Sequence, residues 1–171
     1  MAIEGESASG LFECLRGWPG TWAGQGTNHA GEQFRAVLAT RGLFGKPNLL
    51  LWFRAAGLDG TIYHEELALI GPAIEGGVTM TSANTNIPFL QRFDASSVAD
   101  PARIELHHGD HARRDSFRET ITLAIGEDGR LHVAFSWGMP GDAIAERSSV
   151  TLARSETPLP ADAPLGPMPV R

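Results

Sequence analysis

The 171-residue sequence has little cysteine, no long apolar run and no excess of basic charge. Its single cysteine, Cys14, excludes an internal disulfide and a cysteine-rich zinc site. The longest apolar run, Leu49 to Phe53, is far shorter than the roughly 20 residues of a membrane-spanning helix. The net charge of −6 argues against nucleic acid as the main partner. Because the acidic amino terminus does not resemble a secretory signal, we expect a cytoplasmic protein. The sequence leaves open whether the protein forms a homodimer.

Glycine and proline are frequent instead, with 20 and 11 residues respectively. Between Gly20 and Arg154 the chain consists of short apolar-alternating runs separated by turn residues, which predicts an all-β domain. The predicted strands cover residues 21–28, 33–40, 49–56, 62–70, 78–83, 89–94, 103–108, 117–125, 131–137 and 145–153. A meander of about ten strands must pair or cover its two end strands. We therefore predict an antiparallel up-and-down β-barrel.

Three segments follow from this pattern. Residues 1–19 form an N-terminal segment with a short helix over 11–16, which Ser9 caps. Residues 20–155 form the barrel. Residues 156–171 contain five prolines and are expected to be extended or disordered.

Two hairpins predict which side chains share a face. A two-residue turn at Asp59-Gly60 sets Arg54 opposite Glu65 and Trp52 opposite Leu67. In the second hairpin, the apolar residues of both strands share a face only if the loop is the three residues 127–129, with Gly129 left-handed. That register sets Glu119 opposite Trp137 on the inner face.

The segment Gly20-Thr21-Trp22-Ala23-Gly24-Gln25-Gly26 resembles the opening of calycin-type barrels: lipocalins, fatty-acid-binding proteins and, most closely, nitrobindin-like haem-binding barrels. The resemblance implies that Trp22 lies at the closed end of the barrel, with an arginine of the last strand, Arg147 or Arg154, stacked over it. An eight- to ten-stranded barrel of this kind holds one small ligand.

Most of the expected ligand-binding residues belong to the hairpin face that carries Arg54, and they line the interior if that face points inward. Arg54, beside Glu65, would bind a carboxylate ligand, as in fatty-acid carriers; a structural ion pair is the alternative. His64 and Glu66 form a second polar pair on the opposite face of that hairpin, suited to acid–base chemistry or to anchoring a ligand head group; a partly exposed outer face is the alternative. The complete predicted set is Trp22, Trp52, Arg54, Tyr63, Glu65, Leu67, Phe135 and Trp137, with His64 and Glu66 as the polar pair.

Other polar clusters are expected to be structural. His107, His108 and His111 are read as a polar loop rather than a metal site, since Gly109-Asp110 predicts a turn between them. Asn84 to Asn86 are typical of a turn at the barrel mouth. Arg118 and Glu119 are expected to form a salt bridge at the rim.

Three functions remain open on this scaffold. The first is a carrier or sensor of a small hydrophobic or amphipathic molecule, with no cofactor. The second is an isomerase-, cyclase- or decarboxylase-type enzyme that uses His64 and Glu66 or Arg54 and Glu65. The third is a haem protein with His29 or His132 as axial ligand. One fold serves unrelated functions, so the fold does not decide among them.

Overall fold

The computed structural model describes residues 17–95, 100 and 102–165, and these residues form a closed antiparallel up-and-down barrel of ten strands. Each strand pairs with its neighbours in sequence, and β1 pairs with β10 to close the sheet. The strands are β1 (Gly20–Asn28), β2 (Gln33–Leu43), β3 (Asn48–Gly57), β4 (Ile62–Pro72), β5 (Val78–Asn84), β6 (Ile87–Ala95), β7 (Arg103–His108), β8 (Arg118–Ile125), β9 (Leu131–Gly138) and β10 (Ala145–Arg154). The predicted all-β barrel is confirmed.

No helix occurs among the described residues, and the helix predicted over 11–16 lies outside them. Accordingly, these residues include no helix that is long and apolar enough to cross a membrane.

The β8–β9 hairpin has the predicted geometry. Gly126 and Arg130 flank a three-residue loop, with the Gly126 N–H donating to the Arg130 carbonyl at 2.9 Å. Gly129 has a φ of 72°, which glycine adopts at little cost. Glu119 pairs with Trp137, as the apolar pattern required.

The β3–β4 hairpin differs from its prediction at the tip. Arg54 does pair with Glu65, and Trp52 with Leu67. The turn is one residue longer than predicted, because the Gly57 N–H donates to the Thr61 carbonyl across residues 58–60. A β-bulge at Tyr63 then restores the register, since Ala55 pairs with His64 while the next residue of β3 pairs with Ile62.

The closed end of the barrel is filled by two tryptophans. Trp18 and Trp22 are each 1% exposed, and the Trp22 indole N–H donates to the Trp18 carbonyl at 3.2 Å. The guanidinium of Arg154 lies 4.5 Å from the centre of the Trp22 ring, within cation–π range. Of the two arginines expected to stack over Trp22, the structure selects Arg154.

The outer face of β2–β4 is apolar and is covered by the end of the described chain. Ala39 and Trp52 are fully buried there, packed with Ala163 and Leu165. Asp162 accepts two hydrogen bonds from Arg54, at 3.0 and 2.8 Å. Both faces of β3 are therefore buried, one by the barrel interior and the other by residues 159–165.

Replacing Asp162 with asparagine is expected to loosen this covering segment. The Arg54 guanidinium holds the pKa of Asp162 below its ordinary value, so the ion pair is complete at neutral pH and is lost as the pH falls through that lowered pKa. Limited proteolysis should cleave near residues 159–165 faster in Asp162→Asn than in the native chain. Asp94→Asn, an exposed aspartate paired with Arg92, is the control. Equal cleavage rates in both variants would contradict the assignment.

Candidate functional site

The barrel interior is solid at the closed end and hollow at the other. Inward-facing residues such as Leu38, Met80, Phe93 and Leu152 fill the lower part. Toward the opposite end lies a cavity of about 400 Å³, within the roughly 300–1,000 Å³ typical of small-molecule sites. Its lining residues are Asn28, His29, Glu32, Phe34, Phe53, Ala55, Tyr63, His64, Asn84, Asn86, Ile87, Phe117, Glu119, Phe135, Trp137, Met139, Arg147 and Ser148.

The mouth of this cavity is built at the ends of the odd-numbered strands. In an up-and-down barrel the turns that follow β1, β3, β5, β7 and β9 share one end, and these turns or their flanks supply His29, Tyr63, Asn86, Phe117 and Met139. The site is therefore a one-ended pocket above a packed base.

Two β-bulges place side chains at this mouth. Tyr63 is the extra residue of the β4 bulge, and Arg147 is the extra residue of β10, where Glu146 pairs with Ser136 and Ser148 with Phe135. Bulges change the direction of a side chain and are common beside functional sites. The Arg147 guanidinium lies 4.5 Å from the Trp137 ring centre, and its Nε donates to the Trp137 carbonyl at 3.3 Å.

Aromatic rings form the apolar wall. The rings of Phe53 and Phe135 are 5.3 Å apart, and His64 packs edge-on to Phe135 at 5.4 Å. Near the mouth, His29 packs edge-on to Trp137 at 6.4 Å. An apolar ligand body would gain burial and aromatic contacts along this wall.

A polar cluster from β5, β6 and β8 borders the cavity. Asn84 Nδ2 donates to Gln91 Oε1 at 2.7 Å, and Gln91 Nε2 donates to Glu119 Oε2 at 3.1 Å. Burial raises the pKa of Glu119; the Gln91 hydrogen bond opposes this shift, and the charge of Glu66 adds to it. Glu119 is thus a carboxyl group in a poorly solvated site, with a proton that is held more tightly than in water.

His64 and Glu66 lie side by side on the inner face of β4. Asn86 Nδ2 and His64 Nδ1 are 3.1 Å apart; since an amide nitrogen only donates, Nδ1 is the acceptor and a neutral His64 carries its proton on Nε2. That Nε2 lies 3.6 Å from Glu66 Oε2. Glu66 is 3% exposed, and its Oε1 is buried without a hydrogen-bond partner.

The structure separates the predicted site residues into two groups. Tyr63, Phe135, Trp137 and His64 line the cavity, with Glu66 directly behind His64. The other residues lie away from the cavity: Trp52, Arg54, Glu65 and Leu67 are on the outer face, and Trp22 is at the closed end. There Arg54 Nη2 donates to Glu65 Oε1 at 2.8 Å.

The histidines that were expected to be structural make contacts within the barrel wall. His108 Nδ1 donates to the Arg92 carbonyl at 2.8 Å, across the seam where β6 and β7 share one backbone pair. His107 and His111 stack edge-on at 4.7 Å, and burial, followed by the charge of His111, lowers the pKa of His107. Within the described residues no group of three potential ligands is arranged to hold a metal.

The rim salt bridge between Arg118 and Glu119 does not form. Arg118 is 2% exposed and donates to the carbonyls of Ser116, Met139 and Asp142, while Glu119 turns into the cavity. The predicted inward face of β8 already contained Glu119, so its role in the cavity followed from the register. Nothing in the sequence pointed to Gln91 as a cavity residue, because the alternation around it predicts a strand and does not single out this side chain.

The described residues do not fit the haem that the resemblance implies. His132 lies on the outer face of β9, between the buried Leu131 and Val133. His29 packs against Trp137 at the rim. In the cavity, His64 Nδ1 is bonded to Asn86 and Nε2 is buried beside Glu66, so His64 presents no accessible nitrogen to an iron.

Fold and cavity together define a closed ten-stranded β-barrel with a pocket open at one end. No protein family model and no curated protein matches the sequence. Among solved structures, Rv2717c from M. tuberculosis is similar with a TM-score of 0.59 and 17% identity, over 85% of this chain and 98% of that chain. A de novo designed fluorescence-activating β-barrel is similar with a TM-score of 0.37 and 14% identity, over 83% and 97% of the two chains. At 17% identity, the likeness to Rv2717c shows the fold alone.

Proposed function

We propose that this protein is a calycin-like carrier or sensor that binds one small hydrophobic or amphipathic molecule in the cavity, without a cofactor. The observation that carries the proposal is the shape of the interior, packed at the base and hollow at the mouth. A cavity of about 400 Å³ with an aromatic wall is a costly use of apolar side chains unless a ligand fills it. Arg154 over Trp22 supports the calycin-like assignment.

Titration with Nile Red, an uncharged dye whose emission rises in apolar surroundings, tests this function. We expect saturable binding of one dye per chain, because a single enclosed site is offered. Naphthylethanol, an uncharged molecule with a smaller aromatic body, should displace the dye. If neither compound binds, the cavity is not a site for apolar ligands and the proposal fails. Hemin added to the protein should give no shifted Soret band; a shifted band would contradict the cofactor-free assignment.

A second candidate is an isomerase-, cyclase- or decarboxylase-type enzyme on the same cavity, favoured by the His64–Glu66 contact of 3.6 Å. A carboxylate that orients an imidazole is a common acid–base arrangement. Mass spectrometry of molecules that copurify with the native chain and with His64→Gln separates the two functions. A carrier retains the same molecule in both, whereas an enzyme retains substrate in the variant and product in the native chain.

A further inference from the structure

The part of the cavity between β4 and β8 is acidic. Two carboxylates, Glu66 and Glu119, lie there on neighbouring parts of the interior. Among the described residues that line the cavity, Arg147 is the one arginine or lysine; its guanidinium stacks on Trp137 and does not contribute to the pKa shift of Glu119.

The buried polar atoms in this part of the cavity are not all paired, and His64 Nε2 has no hydrogen-bond partner. A carboxylate accepts and does not donate, and Glu119 receives a hydrogen bond from Gln91 Nε2. Glu66 Oε1 is buried with no donor. Leaving a buried acceptor unpaired is expensive, so an additional donor in this part of the cavity would be stabilising.

A small space beside Glu66 adjoins the main cavity. It has a volume of about 10 Å³, and Phe53 and Phe135 line both spaces. Glu66 lines this small space, whereas Glu119 lines the main cavity. An ammonium group carries three donors, and in the main cavity the poorly solvated carboxylate that faces it is Glu119.

We propose that the cavity selects a small aromatic amine, with the protonated nitrogen bound at Glu119 and the aromatic body against Phe53, Phe135 and Trp137. This inference rests on the proposed function and names its ligand class. A ligand carboxylate at the same place would add a third negative charge to a poorly solvated site. Arg54, the cation that would have suited a carboxylate ligand, lies on the outer face.

Binding of such an amine depends on pH in a defined direction. The groups that face Glu119 are His64 and Glu66 of β4, Gln91 of β6 and His108 of β7; burial and Glu66 raise the pKa of Glu119, whereas Gln91 and both histidines lower it. A bound ammonium stabilises the charged carboxylate. Amine affinity is therefore highest above the raised pKa of Glu119 and falls as the pH drops through it, while affinity for an uncharged analogue stays constant.

Calorimetry with three matched compounds tests the inference: naphthylethylamine, naphthylethanol and naphthylpropionate. They share one aromatic body and differ in the head group. At neutral pH we expect the amine to bind about 10- to 100-fold more tightly than the alcohol, as a charge-assisted hydrogen bond would give. The carboxylate should bind more weakly than the alcohol. Equal affinities, or a preference for the carboxylate, overturn the amine assignment and leave the cavity function standing.

Glu119→Gln locates the preference. The variant keeps the shape of the side chain and removes a buried charge, so it should fold at least as well as the native chain at neutral pH, since a raised carboxyl pKa means that ionisation costs stability there. In this variant the amine should bind no more tightly than the alcohol, so the ratio of the two affinities should fall to about one. Glu105→Gln, an exposed glutamate of the outer face, is the matched control and should keep the full preference. An unchanged preference in Glu119→Gln overturns the assignment.

If the three compounds and Nile Red all fail to bind, the proposed function fails together with the inference. If the alcohol and Nile Red bind and the amine has no advantage, the inference alone fails. The comparison of amine and alcohol at two pH values uses the native chain and does not depend on any variant.

Discussion

Replacing Ala55 with phenylalanine is expected to reduce Nile Red affinity at least about tenfold, a loss of about 1.4 kcal/mol or more. Ala55 of β3 is 6% exposed, faces the barrel interior and lines the cavity beside His64. A phenyl ring at this position would extend into the space that the dye occupies. Because that space is empty of protein atoms, the ring should enter without the strain that overpacking a solid core creates.

Ala56→Phe is the matched control for this prediction. It adds the same ring to the next residue of the same strand, on the outer face of the barrel. Dye affinity should be unchanged there, and both variants should have melting temperatures near that of the native chain. Native affinity in Ala55→Phe would show that the dye binds outside the barrel.

Replacing Gly24 with alanine is expected to destabilise the barrel by about 3 kcal/mol or more, a size typical of severe overpacking. Gly24 lies on β1, opposite Leu152 of β10, where the sheet closes. A Cβ at this position would collide with the backbone carbonyl of Thr151 and lie 3.2 Å from the Leu152 Cα. Backbone atoms cannot rotate away as a side chain can, so β1 and β10 must separate.

For a chain of this size, that loss corresponds to a fall of about 6–12 °C in melting temperature. Gly42→Ala is the control, because a Cβ at Gly42 of β2 meets no atom within 4 Å. Its stability should be equal to the native value or slightly higher, since alanine restricts the unfolded chain. A similar melting temperature for both variants would show that the glycines of the opening motif are not required for closure.

The strands and most of their registers could be predicted from the sequence. Alternation between apolar and polar residues and the spacing of turn residues are local signals, and the pleat makes them visible at a period of two. The strict pattern of β8 and β9 even selected a three-residue loop, because the alternative turn would have put Leu123 and Val133 on opposite faces. The structure pairs those two residues.

The assignment of the β3–β4 faces was beyond the sequence. Leu49, Leu51 and Phe53 form one apolar row, and Leu50 with Trp52 forms the other, so alternation gives no preference. The second row is buried by Ala163 and Leu165, which lie more than 100 residues further along the chain. A contact at that sequence separation leaves no local pattern, and Arg54 was therefore expected inside the barrel.

The directions of the side chains at the mouth were unpredictable for a different reason. A β-bulge adds one residue to a strand and interrupts the period that alternation relies on. Tyr63 and Arg147 are such residues, and both line the cavity. Tyr63 was predicted in the site, but on the face of Arg54 and Trp52, which lies outside the barrel; the bulge brings it to the cavity.

By itself the sequence determined a ten-stranded antiparallel barrel, the β8–β9 loop, and the inward positions of Glu119, Phe135 and Trp137. Local pleat periodicity and turn chemistry carry that information. The tertiary structure decided which row of β3 faces inward, which arginine stacks on Trp22, and where the interior is hollow. Those outcomes depend on the packing of residues distant in sequence, and the acidic character of the cavity follows from them.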